Sequence, residues 1–348
     1  MKNLSLSFQP WLSNRRNDLL FILAPLFLPI FFLLLFPSYF RSTSEVTTFW
    51  WIILVLSIDV AHVYSTLFRF YWEKETFEKN KRRLVWIPIM SLIVGAILHF
   101  IGSMAFWRTL AYLAVFHFVR QQYGFLRLYT RKELKTKFRV TVDNLVIYNA
   151  TLYPMLYWHF YRSKDLHWFV EGDLISLPSQ LGFICTWAYW IIIVIYVFTE
   201  IYHIRRTNKF NIPKNLLIVG TYLSWYLGII TFKGDLIFTM LNVIAHGVPY
   251  MALVYFRSSK SKINTVWKSA LLFIGTIITL SYVEEGLWDS LIWRDHEELF
   301  SIFNSLPQVS NHWVLSVLVP LLALPQITHY ILDGFIWRIS EPKELNYK

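Results

Sequence analysis

The sequence lacks most of what a water-soluble or disulfide-stapled protein relies on. It has one cysteine, Cys185, so no disulfide framework and no cysteine-built zinc or iron–sulfur site can form within the chain. Charge is also scarce: Asp, Glu, Lys and Arg make up 16% of the 348 residues, against about 25% in an ordinary soluble domain. There is no low-complexity tract, no clear internal repeat and no linker-like stretch, so residues 1–348 read as a single transmembrane domain.

What is abundant is apolar. Hydrophobic residues make up 55% of the chain and aromatics 19%, a composition suited to membrane spans, interfacial belts and a ring-lined interior. The net charge of +11 could point to nucleic acid. However, Lys and Arg fall in short clusters between apolar runs, where they serve as topology signals and contacts to anionic lipid heads. Membrane lipids are therefore expected partners and nucleic acid is not. Arg15 and Arg16 precede an apolar run from Leu19 to Phe36 that is too long for a signal peptide and has no small-residue cleavage site. It reads as an uncleaved first span, which fits a multi-pass protein of a bacterial inner membrane.

Apolar stretches long enough to cross a bilayer predict ten spans, at 17–38, 47–71, 85–106, 109–130, 140–161, 181–202, 215–232, 236–256, 266–287 and 313–336. The fold class is thus an all-α polytopic helical bundle. With the N-terminus cytoplasmic, the inside segments carry 24 of the 33 Lys and Arg, the outside loops six, and the spans three. That asymmetry follows the positive-inside rule through every loop and puts both termini in the cytoplasm. Two long outside loops, 163–180 and 288–312, are expected to form interfacial helices or lids.

Five of the ten histidines, His159, His167, His203, His296 and His312, lie at span ends or in loops and read as ordinary interfacial residues. His62, His117, His246 and His329 lie inside four different spans. Counted at about 1.5 Å per residue from the basic edge, all four sit roughly 14–21 Å into a core about 30 Å thick. His99, also inside a span, falls at about 24 Å by the same count from the opposite direction and is the shallowest match. Each of the four stands on a polar stripe at helical spacing: Asp59 and Thr66 about His62, Arg120 and Gln121 after His117, Asn242 before His246, Gln326 and Asp333 about His329. Such groups are costly in hydrocarbon and must face inward, toward partners or a cavity. Neutral imidazole is the usual nitrogen ligand of iron, copper and zinc, and its second nitrogen wants an oriented acceptor. His62, His117, His246 and His329 are therefore the candidate metal ligands, with Asp59, Arg120 and Gln121 as orienting or catalytic groups. Gly124, Gly247 and Gly334 beside these stripes are expected to let helices approach closely.

The pattern resembles the Brp/Blh family of membrane-bound β-carotene dioxygenases. The residues that carry the resemblance are His62 in Asp59-Val60-Ala61-His62, His117 in Phe116-His117-Phe118-Val119-Arg120-Gln121-Gln122, His246 in Asn242-Val243-Ile244-Ala245-His246-Gly247, and His329 in Gln326-Ile327-Thr328-His329-Tyr330. It is confined to the histidine-bearing spans. It implies one iron (Fe2+) held by histidines, dioxygen chemistry, and a carotenoid, isoprenoid or fatty chain as lipid-soluble substrate. Membrane desaturases fit poorly, because no two histidines here stand three or four residues apart. The leading expectation is a metal-dependent membrane oxygenase. Two alternatives remain: a haem-b electron-transfer protein with histidine axial ligands, and a transporter with an intramembrane His/Asp/Arg relay. A retinal carrier is disfavoured, since every lysine is in a loop or at a span end.

Overall fold

The computed structural model describes residues 9–43, 45–134, 136–161, 167–232, 234–258 and 269–336. The outermost termini, where both ends were expected in the cytoplasm, and most of the basic loop 257–268 lie outside these residues. The described chain is all-helical, without a β-strand. Five helices are long and apolar enough to cross a membrane: Thr48–Tyr71, Lys74–Ile101, Gln180–Thr207, Asp235–Arg257 and Ala270–Trp293. The number reaches seven if two bent pairs each count as one span.

The bent pairs replace two straight spans expected from the sequence. Arg15–Leu26 and Leu28–Leu35 meet at 50°, and His312–Leu322 and Leu324–Gly334 at 43°. Pro25, Pro29, Pro320 and Pro325 flank the breaks; proline has no N–H to donate and its ring collides with the carbonyl four residues back. The remaining three of the ten expected stretches are also helical, as Ser103–Tyr129, Lys137–Tyr161 and Ile212–Trp225 with its π-helical continuation Tyr226–Thr231. Their apolarity is interrupted by polar groups that turn inward, among them Gln121, Gln122, Asp143 and Lys214, all buried.

Boundaries moved where local chemistry opposes the apolar pattern. The third helix begins at Lys74 rather than near residue 85, because the run Lys74–Arg83 contains good helix formers and no Gly or Pro. It stops at Gly102 rather than after residue 106, and Phe106 and Trp107 instead open the next helix and pack in the core. The loop expected to begin at 288 is helical as far as Trp293 and turns at Arg294 with φ 59. In the other long loop, the Asp173 carboxylate accepts the backbone N–H groups of Trp168, Phe169 and Val170, which tucks Trp168 and Phe169 against the bundle.

Burial separates centre from periphery. Two-thirds (67%) of the apolar window in Asp235–Arg257 is buried, against 17% in Gln180–Thr207. The helices bearing His62, His117, His246 and His329 are central. Asp235–Ser258 packs on Thr48–Tyr71, and Leu324–Ile336 packs on both Ser103–Tyr129 and the His62 segment. Gly247 makes one of these approaches possible: a Cβ there would lie 2.7 Å from Ile58 Cγ2 and 3.2 Å from the Ile58 carbonyl oxygen. Gly334 has no neighbour within 4 Å of that position among the described residues, which therefore show no close packing against it.

Candidate metal centre

Four helices far apart in sequence deliver one imidazole each to a single point. His62 follows a π-helical segment, Ile52–Val60, whose wider turn shifts the face on which the next residues emerge. His117 and His246 come from the middle of unbroken helices, and His329 from the segment just after the proline bend. All four are at most 1% exposed. Their ligand-capable nitrogens lie within 4.8 Å of one another, and no other His, Cys, Asp or Glu set among the described residues comes together in this way.

The rings form a closed square. Neighbouring ring centroids are 4.7 Å apart for His62 and His246, 4.7 Å for His246 and His117, 4.5 Å for His117 and His329, and 4.9 Å for His329 and His62. His62 and His117 face each other across it, nearly parallel at 11° with centroids 6.3 Å apart. The Nε2 atoms point inward, 3.0 Å apart for His117 and His246, 3.0 Å for His329 and His117, and 3.2 Å for His246 and His62.

These spacings suit a metal. Nitrogens about 2.0–2.1 Å from one ion stand about 3.0 Å apart at a right angle and about 3.4 Å apart in a tetrahedron. Hydrogen bonds among the rings fit less well. His117 Nε2 and His246 Nε2 each meet two other ring nitrogens, yet an imidazole nitrogen offers either one proton or one lone pair. Nor can four buried rings this close all carry charge. One cation taking a lone pair from each ring satisfies every contact together, so the residues present fit a metal ion.

The outer nitrogens and ring faces are held in place. His62 Nδ1 donates to the Ile58 carbonyl at 3.3 Å, with Asp59 Oδ1 3.8 Å away. His329 Nδ1 is 2.6 Å from Thr66 Oγ1, which in turn meets the Tyr250 hydroxyl at 3.3 Å. His117 Nδ1 lies 3.2 Å from Asp333 Oδ2, close enough for charge pairing though off the line of a good hydrogen bond. His246 is fixed by its ring and its backbone: it stacks on Phe118 with centroids 3.7 Å apart at 9°, and Gln121 Nε2 donates to its carbonyl oxygen at 2.8 Å. Tyr330 stacks on His117 at 4.9 Å.

The other residues singled out from the sequence fall into distinct places. Gln121 positions the His246 backbone. Asp59, Asn242 and Gln326 line a cavity of about 470 Å³ that meets the square of rings at Phe118, which lines it and stacks on His246. Arg120 was expected to orient substrate, but its guanidinium donates to the Tyr148 hydroxyl at 2.6 Å, sits over the Tyr123 ring at 4.6 Å, and does not line the cavity. His99 is apart from the square, packed edge-on to Phe106. The sequence reading missed Glu284, Glu285 and Asp289, which stand at or behind the cavity wall. The signal was present as two adjacent carboxylates at the end of an otherwise apolar helix.

Comparison with known proteins adds no relative: no family model matches the chain, and no curated protein or solved structure matches it significantly.

Proposed function

We propose that the chain is a multi-pass membrane oxygenase that acts on a lipid-soluble substrate, with His62, His117, His246 and His329 holding one iron. The observation that supports this best is the inward convergence of four buried ring nitrogens at metal-ligand spacing beside an aromatic cavity. Iron(II) held there by the four imidazoles would supply dioxygen activation. The protein's part is to hold and shield. With a metal on the inner nitrogens, the outer nitrogens of His62 and His329 would carry the protons and donate to the Ile58 carbonyl and to Thr66 Oγ1, which lie in place to accept them. Asp333 sets one negative charge against His117, and the Phe118 and Tyr330 faces fix ring angles. Tryptophan and phenylalanine around the cavity keep bulk water from the centre.

In this reading ten spans cross the membrane with both termini cytoplasmic, and the cavity opens toward the opposite face. The carotenoid substrate implied by the family resemblance is one candidate, although a cavity with carboxylates in its wall suits a substrate with a polar end better than a bare hydrocarbon. The haem alternative is less well supported. A porphyrin needs an empty disc between two axial imidazoles, and here four rings crowd one centre, each at 69–88° to its neighbours, with neighbouring nitrogens as close as 3.0 Å.

Oxygen uptake tests the activity. Iron-loaded protein in liposomes made from a total lipid extract should consume dioxygen, and His329→Ala protein should not. Uptake equal in the two, or absent from both, would count against an oxygenase.

A further inference from the structure

The cavity beside the metal centre has a lining that its role as an apolar substrate chamber does not require. Five tryptophans contribute, Trp51, Trp107, Trp168, Trp288 and Trp293. So do four carboxylates, Asp59, Glu285, Asp289 and Asp295, and, among the described residues, no Lys or Arg. In a chain of net charge +11 this is a local inversion of sign. Asp295 and Trp293 are exposed at the mouth, where His296 stacks on Trp51 at 4.4 Å. Asp59 lies deeper, three residues before the ligand-bearing position 62, and keeps 38% of its side chain accessible to the cavity.

The polar atoms left unmatched at this wall are acceptors. Asp289 is 4% exposed; its Oδ1 accepts the His296 backbone N–H at 2.7 Å, while its Oδ2 has no hydrogen-bond partner. Asn242, 3% exposed, donates through Nδ2 to the Phe238 carbonyl at 2.9 Å and leaves Oδ1 unmatched. Buried acceptors and carboxylates without a counter-charge are costly. The wall therefore calls for a donor or a cation. The carboxylates do not gather into a metal-sized set among the described residues, which points away from an inorganic ion. Tryptophan faces attract organic cations most strongly of all side chains.

We propose that this cavity binds an organic cation, the amine or quaternary ammonium head of a lipid-soluble amphiphile. Asp289, Glu285 and the tryptophan faces hold the head, and the carbon chain next to it runs past Phe118 and Asn242 to the four histidines. This names the substrate class of the site proposed above and rests on that reading for its chemistry, though not for the binding itself.

The test is calorimetry on the full chain in a neutral maltoside detergent, with benzyltrimethylammonium, benzyl alcohol and benzoate as probes and iron measured in each sample. The cation should bind saturably and at least about tenfold more tightly than the alcohol, with benzoate not binding. Glu285→Gln and Asp289→Asn should each weaken the cation by about tenfold. Asp289 also caps the His296 backbone, so Glu285→Gln, which removes no hydrogen bond, is the cleaner variant. His246→Ala should lose metal yet still bind the cation, which separates failure of the metal reading from failure of this one. Equal affinity for the alcohol and the cation would show that the carboxylates are neutral and overturn the proposal, as would unchanged affinity in both carboxylate variants.

Discussion

Along the helix Ser103–Tyr129 the bundle holds two buried polar clusters built in opposite ways. Near its C-terminal end, three cations meet three carboxylates. Lys214, fully buried, places Nζ 2.6 Å from Glu200, 3.6 Å from Asp143 and 3.7 Å from Glu133. Arg139 reaches Glu133 at 2.9 Å and Glu200 at 3.2 Å, and Arg127 lies 3.8 Å from Asp143. This cluster is matched in charge within itself and ties together four helices, Ser103–Tyr129, Lys137–Tyr161, Gln180–Thr207 and Ile212–Trp225. Ten residues before Arg127, His117 belongs to a cluster that is not matched. Four imidazoles share a centre with too few protons and lone pairs to satisfy one another, and the neighbouring cavity wall carries carboxylates without cations. A polar group in a membrane protein is costly whatever its role. Whether its partners are already in the chain is what separates a structural lock from a binding site.

Breaking each cluster should therefore give different losses. The largest is expected from Lys214→Met, which leaves three clustered carboxylates with only Arg139 and Arg127 to answer them and should cost about 3–5 kcal/mol, read as a lower thermal midpoint, with iron per folded molecule unchanged. Next, Asp333→Asn removes the charge facing His117 while keeping a similar shape. Iron affinity should fall about 10–100-fold by competition with a chelator, with the thermal midpoint of metal-free protein little changed. The smallest is Thr66→Val, which leaves His329 Nδ1 without its partner; it should weaken iron by about 1 kcal/mol, or about fivefold. If Lys214→Met lost metal as readily as Asp333→Asn, the two clusters would be one coupled unit and the contrast would collapse.

The four-histidine cluster was legible in the sequence because depth along a helix is linear in residue number. Four histidines at one depth on separate spans need only face inward to meet, and their polar stripes required that they do. Direction within the layer was less legible. Arg120 and Gln121 follow His117 by three and four residues and so leave the helix on either side of it. Gln121 swings to the His246 backbone, and Arg120 turns to Tyr148 of Lys137–Tyr161 and Tyr123 of its own helix. Lys214 and Arg139 were counted from sequence as topology charges. Their carboxylate partners include Glu200, which lies 61 residues from Arg139 and 14 from Lys214, so only the packed bundle shows them as a buried lock. The proline bends were hidden for a related reason: proline is tolerated in membrane helices, and whether it bends one depends on what packs around it.

Metal analysis by mass spectrometry of detergent-purified protein tests the central claim most directly. The four-histidine centre predicts about one iron per chain in the wild type and near-complete loss in both His246→Ala and His329→Ala, with helical content retained. A low metal content that is the same in all three proteins would contradict it.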